Sequence, residues 1–216
     1  MTARLRIVAL ISGGGRTVLN LHQAIVRDKL PAEILQVIAS REEILGIERS
    51  REIGLAVSIP DPQDYDAELE QLINQQNPDL ICLCGYLKKL RLNPEWNGKV
   101  INIHPALLPA HGGQGMYGRH VHQAVLEAGD DISGCTVHFV DELYDHGPIL
   151  LQRTCPVESG DTPDALADRV FEEECKALPE AIALIASGRV RINGRQVEIL
   201  PESASGVSCT NRKSDQ

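Results

Sequence analysis

Short, almost wholly apolar runs that alternate with stretches of helical period constrain this chain more than any other feature. Leu5 to Ile11, Asp79 to Cys84 and Val100 to Ile103 leave no polar face, so strands formed there are covered on both sides. Glu33 to Ser40 and Ala56 to Ile59 read as two further strands. Between them, Thr17 to Arg27, Glu42 to Glu52 closed by Gly54, and Asp64 to Gln76 before Asn77-Pro78 have helical character. The alternation predicts an α/β fold: a single-domain, mostly parallel, Rossmann-like sheet with helices on both faces. After Cys135 the rhythm changes. Cys135 to Val140 and Ile149 to Val157 have only a short loop between them, which predicts an antiparallel C-terminal extension. Asp164 to Ser187 reads as a long helix interrupted near Pro179. Ile192-Asn193-Gly194-Arg195 is a hairpin signal between two short strands.

With 216 residues, no internal repeat and no linker, one core is expected over residues 1–200, followed by a polar, flexible tail at 201–216. The formal net charge of -9 speaks against a nucleic-acid surface, which must neutralise many phosphates. Cys82, Cys84, Cys135, Cys155, Cys175 and Cys209 form no C-x-x-C pair, and Cys82 and Cys84 read as small buried residues. Reduced thiols, and a first strand opening at Leu5 with no signal peptide before it, predict a cytoplasmic protein. No apolar run reaches membrane-spanning length.

The run Val100 to Ile103 ends in Asn102-Ile103-His104-Pro105, and alternation along a strand sends Asn102 and His104 to one face. About forty residues on, Asp145-His146-Gly147-Pro148 places a carboxylate on a loop after another apolar run. An amide, an imidazole and a carboxylate can stabilise charge at a carbonyl without a metal or a covalent nucleophile. Ser12-Gly13-Gly14-Gly15-Arg16-Thr17, between the first strand and the first helix, admits two readings. It is either a tight connection or a phosphate cradle at a helix N-terminus. Val18 breaks the dinucleotide fingerprint.

The string Asn-Ile-His-Pro-Ala-Leu-Leu-Pro, then Thr136-Val137-His138-Phe139-Val140 and Asp145-x-Gly147-Pro148-Ile149-Leu150-x-Gln152, resembles the folate-dependent formyltransferases. The likeness runs from about Arg6 to Arg191 and is strongest to the branch acting on glycinamide ribonucleotide. The resemblance implies that 10-formyltetrahydrofolate is the co-substrate and glycinamide ribonucleotide the acceptor, in purine synthesis. It implies Asn102, His104 and Asp145 as catalytic residues, with Asp145 raising the His104 pKa so that a charged ring and Asn102 hold the oxyanion. It implies that Gly15, Arg16 and Thr17 bind the substrate phosphate, although the family pattern has Ser and Asn where Arg16 and Thr17 stand. Glu174 matches the position that holds ribose hydroxyls. Leu87, Leu90, Asn102, Asp141 and Asp145 are assigned to the folate pocket, with ordinary core as the other reading of each leucine. Lys88 and Lys89 are either solvated or placed to meet a folate glutamate tail.

Gly112, Gly113, Gly115 and Gly118 make the segment His111 to Gly118 either a flap or a tolerated surface insertion. The seven histidines suggest a metal, but His120 and His122 stand two apart on a helix and point in different directions, so none is expected. His138 reads as a core residue or a support to the site. His122 has a family counterpart near the site, yet a histidine at a helix start is as readily structural. The expected partners are small molecules, with no nucleic acid or membrane, for a monomer or homodimer. Three other readings stand beside this one. A formyltetrahydrofolate deformylase carries an extra domain before the first strand. A methionyl-tRNA formyltransferase carries a basic C-terminal domain. A catalytically inactive folate- or nucleotide-binding protein is the third.

Overall fold

Alternation along the first strand, β1 (Leu5–Ile11), divides the core. Ile7, Ala9 and Ile11 point into one apolar cluster, and Val8 and Leu10 into another. A computed structural model describes residues 4–202 of the chain. In it β1 is followed by α1 (Arg16–Arg27), β2 (Ala32–Ala39), α2 (Leu45–Glu52), β3 (Val57–Ser58), α3 (Tyr65–Gln76), β4 (Leu80–Leu83) and β5 (Val100–His104). Then come α4 (Arg119–Ala128), β6 (Ile132–Phe139), β7 (Ile149–Pro156), α5 (Pro163–Ala186), and a hairpin of β8 (Val190–Asn193) and β9 (Gln196–Ile199).

Seven strands form one sheet in the order β3-β2-β1-β4-β5-β6-β7. The pairs from β3 to β5 are parallel, while β5–β6 and β6–β7 are antiparallel. The larger cluster joins Ile7, Ile101 and Val137 of the sheet to Val18 and Leu21 of α1 and to Leu178 and Ile182 of α5. The other joins Val8, Leu10 and Ile81 to Leu69 and Ile73 of α3 and to Trp96. Helices therefore cover both faces, as expected of strands without a polar side. The chain runs outward from β1 to β3 and returns on the other side of β1 to β4, so the topological switch lies between β1 and β4. In such sheets the crevice past the strand ends at that point takes the ligand.

Three boundaries differ from the sequence expectations, each for a local reason. The helix expected from Glu42 begins only at Leu45, because Glu43 has φ 59° and Ile44 is extended. Strand β6 begins at Ile132 rather than Cys135. Gly134 hides the strand signal, but it pairs with Thr154, and a Cβ at Gly134 would overlap the Arg153 carbonyl. Helix α5 runs through Pro179 without interruption. Proline removes the N–H that the Cys175 carbonyl needs, and the Asn20 side chain of α1 supplies the replacement at 3.0 Å. The expected tail at 201–216 lies outside the described residues beyond Glu202, as does Cys209. Cys82 and Cys84 are buried.

Candidate active site

The C-terminal ends of β1, β4 and β5 open into one crevice of about 640 Å³. Residues 13–17 line one end, and Asn102, His104 and Asp145 line the other.

At the first end Gly15 is the N-terminal flanking residue of α1, with φ 72°, and no side chain caps the helix. The first-turn N–H groups and their partial positive charge are thus open to an anion. Helix α2 holds the loop from behind. Gly46 N–H donates to the Gly13 carbonyl at 3.0 Å, and the Arg49 guanidinium donates to the Gly14 carbonyl at 2.9 Å. A Cβ at Gly15 would lie 2.9 Å from Gly46 Cα, so a side chain there strikes α2 before it meets any ligand. Gly46 and Arg49 had no signal in the sequence beyond a glycine near a helix start. Arg16 leans away from the loop onto α5. Its guanidinium lies 3.9 Å from the Phe171 ring centre and 3.3 Å from Asp168 Oδ1. Thr17 lines the crevice.

At the other end, the antiparallel register of β5 with β6 sets Asn102 opposite His138. The His138 Nδ1–H donates to the Phe139 carbonyl at 2.9 Å, which leaves Nε2 to accept from Asn102 Nδ2 at 3.1 Å. Asn102 Nδ2 also lies 3.4 Å from Asp145 Oδ1. Asp145 Oδ2 stands 3.5 Å from His104 Nδ1 and accepts from Gly113 N–H at 3.0 Å. His104 Nε2–H donates to the His111 carbonyl at 2.8 Å. The donors expected for an oxyanion are therefore engaged within the protein: Asn102 with His138 and Asp145, and His104 with the His111 carbonyl. The segment from His111 to Gly118 is part of the site wall, because its backbone holds both His104 and Asp145. Asp145 and His111 each have φ 53°, strain that accumulates where geometry serves function.

Burial moves the His104 pKa below its ordinary value, and this outweighs the opposing pull of Asp145 and the His111 carbonyl. The sequence expectation of a raised imidazole pKa is thus corrected, since burial could not be read from the motif. Burial pushes the Asp145 carboxyl up. The neighbouring His138 and His104 rings and the Gly113 N–H together outweigh it and hold the group below the ordinary carboxylate range.

On the β4 side, Leu87 N–H donates to Ser12 Oγ at 2.9 Å, tying the loop after β4 to the loop after β1. Leu87 is exposed in the crevice, whereas Leu90 lies in the smaller core cluster with its edge on the wall. Lys88 Nζ stands 3.3 Å from the Tyr65 ring centre and Lys89 Nζ 5.9 Å from that of Tyr144. Asp141 shapes the loop before Asp145. Its carboxylate accepts from Leu143 N–H at 2.9 Å and pairs with His146 at 2.8 Å.

Glu174 of α5 lines the crevice near Arg16. Burial pushes its carboxyl up to about 7, with Arg16 pulling the other way. Because the folded value exceeds the unfolded one, the folded state holds the extra proton, and stability falls as pH rises from about 4.5 towards 7. Glu174→Gln should therefore raise the melting temperature at pH 8 and change it little at pH 4.5. Equal melting temperatures for variant and wild type across that range would show that the carboxyl is not perturbed.

Among the described residues no group of three His, Cys, Asp or Glu side chains could hold a metal ion, and no helix is long and apolar enough to cross a membrane.

The formyl transferase family model matches residues 5–182, and this chain belongs to that family. Phosphoribosylglycinamide formyltransferase of Arabidopsis thaliana, a chloroplastic protein, is 36% identical over 197 residues, covering 87% of this chain and 68% of that protein. The trifunctional purine biosynthetic protein adenosine-3 of Gallus gallus is 36% identical over 202 residues, covering 88% of this chain. This chain spans only 19% of that protein's length. The crystal structure of glycinamide ribonucleotide transformylase 1 from Symbiobacterium toebii superposes with a TM-score of 0.85 at 37% identity, covering 93% of this chain and 96% of that one.

Proposed function

We propose that this chain transfers the formyl group of 10-formyltetrahydrofolate to the primary amine of glycinamide ribonucleotide, a step of purine synthesis. One observation carries the reading. An uncapped helix N-terminus suited to a phosphate and an amide–imidazole–carboxylate set suited to a carbonyl share a single crevice. The names of the relatives and of the matching structure support formyl transfer to glycinamide ribonucleotide.

Backbone N–H groups of Gly15, Arg16 and Thr17 take the phosphate, and Arg16 adds its charge by swinging from Asp168. Glu174 receives the ribose hydroxyls. The folate ring lies along Leu87 and Leu90, with its polar edge towards Asn102, Asp141 and Asp145. The amine attacks the formyl carbon, a C–N bond forms, and negative charge builds on the formyl oxygen. Asn102 Nδ2–H and His104 Nε2–H exchange their partners within the protein for that oxygen. The intermediate then collapses with cleavage of the bond to the folate nitrogen. That nitrogen receives the proton the amine gives up, through water ordered by Asp145. Holding both substrates in one crevice removes much of the entropic barrier.

On this reading the partners are small molecules only, with no nucleic acid or membrane and no metal, for a cytoplasmic monomer or homodimer. The net charge of -9 supports the first exclusion. Folate turnover should require glycinamide ribonucleotide and fail with its dephosphorylated riboside at the same concentration. Turnover that ignores the amine would instead make the protein a hydrolase.

A further inference from the structure

Both groups at the reaction end lean on one short stretch of backbone. His104 Nε2–H donates to the His111 carbonyl at 2.8 Å, and Asp145 Oδ2 accepts from Gly113 N–H at 3.0 Å. Between these two contacts, Gly112 passes so close that a Cβ there would lie 3.2 Å from Asp145 Cβ. The His111 carbonyl also decides which His104 nitrogen carries a hydrogen, because an acceptor facing Nε2 keeps the N–H there. That hydrogen is the one the formyl oxygen needs. The stretch 111–113 has a single side chain, that of His111. Its backbone stands at φ 53°, which a residue with a Cβ seldom adopts unless it is held there.

What holds it is a side-chain pair. His111 Nε2–H donates to Asp130 Oδ2 at 2.6 Å, and the imidazole is only 17% exposed. Asp130 is itself fixed. Gly129 ends α4 in the left-handed region, and Asp130 N–H donates back to the Val125 carbonyl at 3.4 Å. The next carbonyl, that of Asp131, accepts from Val157 N–H just past β7 at 2.9 Å. Neither His111 nor Asp130 is among the residues that line the crevice. We propose that the His111–Asp130 pair is a positioning device: it anchors residues 111–113 to the end of α4 and so sets the His104 ring and the Asp145 carboxylate for transfer. The inference deepens the functional reading above and rests on it, since it concerns the same reaction end.

Three variants of the full chain test it. His111→Gly loses the imidazole but adopts the same φ freely, and Asp130→Ala removes the partner without touching the stretch. Asp130→Asn keeps an oxygen that can accept from His111. The first two should lower kcat about 10- to 100-fold, the cost of a displacement of about 1 Å at a reacting centre. KM for glycinamide ribonucleotide and for the folate should stay within about twofold, because no contact with either is removed. Asp130→Asn should recover kcat to within about threefold of wild type. Melting temperatures should fall by less than about 4 °C, since a partly exposed pair contributes little to stability. Independently of turnover, NMR should show the His104 Nε2 hydrogen exchanging with water faster in Asp130→Ala than in wild type. Unchanged or raised kcat, a loss matched by the unfolded fraction, or an asparagine variant no better than the alanine one overturns the proposal. An undisturbed His104 hydrogen overturns it as well. Absence of transfer by the wild-type protein, with the NMR difference present, would overturn the functional reading but not the anchor.

Discussion

Asp145→Asn should lower kcat by roughly 10²–10³, because it removes one preorganised charge from the reaction end of the crevice. The shape is nearly retained, so both substrates should still bind and the fold should persist. The change does more than delete a charge, since Asp145 stands 3.5 Å from His104, 3.4 Å from Asn102 and 3.0 Å from the Gly113 amide. An asparagine must turn its NH2 towards the Asn102 or the Gly113 donor and break that contact. At His104 the carboxylate is the strongest force opposing burial, so the imidazole pKa should fall further below its ordinary value in the variant. An NMR titration of the ring would read this directly. His104→Asn should cost a comparable factor, and the double variant should be far from additive because the pair acts as a unit. A folded Asp145→Asn protein with a near-normal rate would mean that the carboxylate is misassigned.

The second large effect is expected at Gly147, two residues on. Gly147 is buried, and a Cβ there would overlap the Phe139 carbonyl at the end of β6. Nothing soft is available to yield, because the obstruction is backbone held by Phe139 N–H donating to the Pro148 carbonyl at 2.8 Å. Gly147→Ala should destabilise the protein by about 1–3 kcal/mol, the usual cost of an overpacked methyl group. The shift it forces would carry the Asp145 loop away from His104, so kcat should fall even under conditions where the variant is folded. Denaturant unfolding and steady-state kinetics on one preparation separate the two effects. Wild-type stability together with wild-type kcat would show that the glycine is not required by this contact.

These expectations also mark what could be read before folding and what could not. The strand–helix alternation was legible because buried strands leave a local signature, as in Ile-Val-Ala-Leu-Ile of β1. The grouping of Asn102, His104 and Asp145 was legible from their residue types at strand and loop ends, and the crevice brings all three together. How they are occupied at rest was not legible. Asn102 spends a donor on His138 only because β5 and β6 pair in the register that sets the two opposite. His104 binds a backbone carbonyl and Asp145 a backbone amide, and backbone groups carry no residue signal. The direction of the His104 pKa depends on burial, which no motif contains. Pro179 suggested a break because its cure, Asn20, lies 155 residues before Cys175 in the chain. Arg16 suggested a phosphate ligand, whereas its resting partners Asp168 and Phe171 belong to a helix brought alongside by the fold.

The central claim is that the crevice passes a formyl group from folate to an amine held by its phosphate. It is tested most directly by following the label of 10-[¹³C]formyltetrahydrofolate through a single turnover with saturating glycinamide ribonucleotide. The account predicts that the carbon appears as the formamide of the ribonucleotide, with no free formate ahead of it. Release of the label as formate, at the same rate with and without the ribonucleotide, would contradict it.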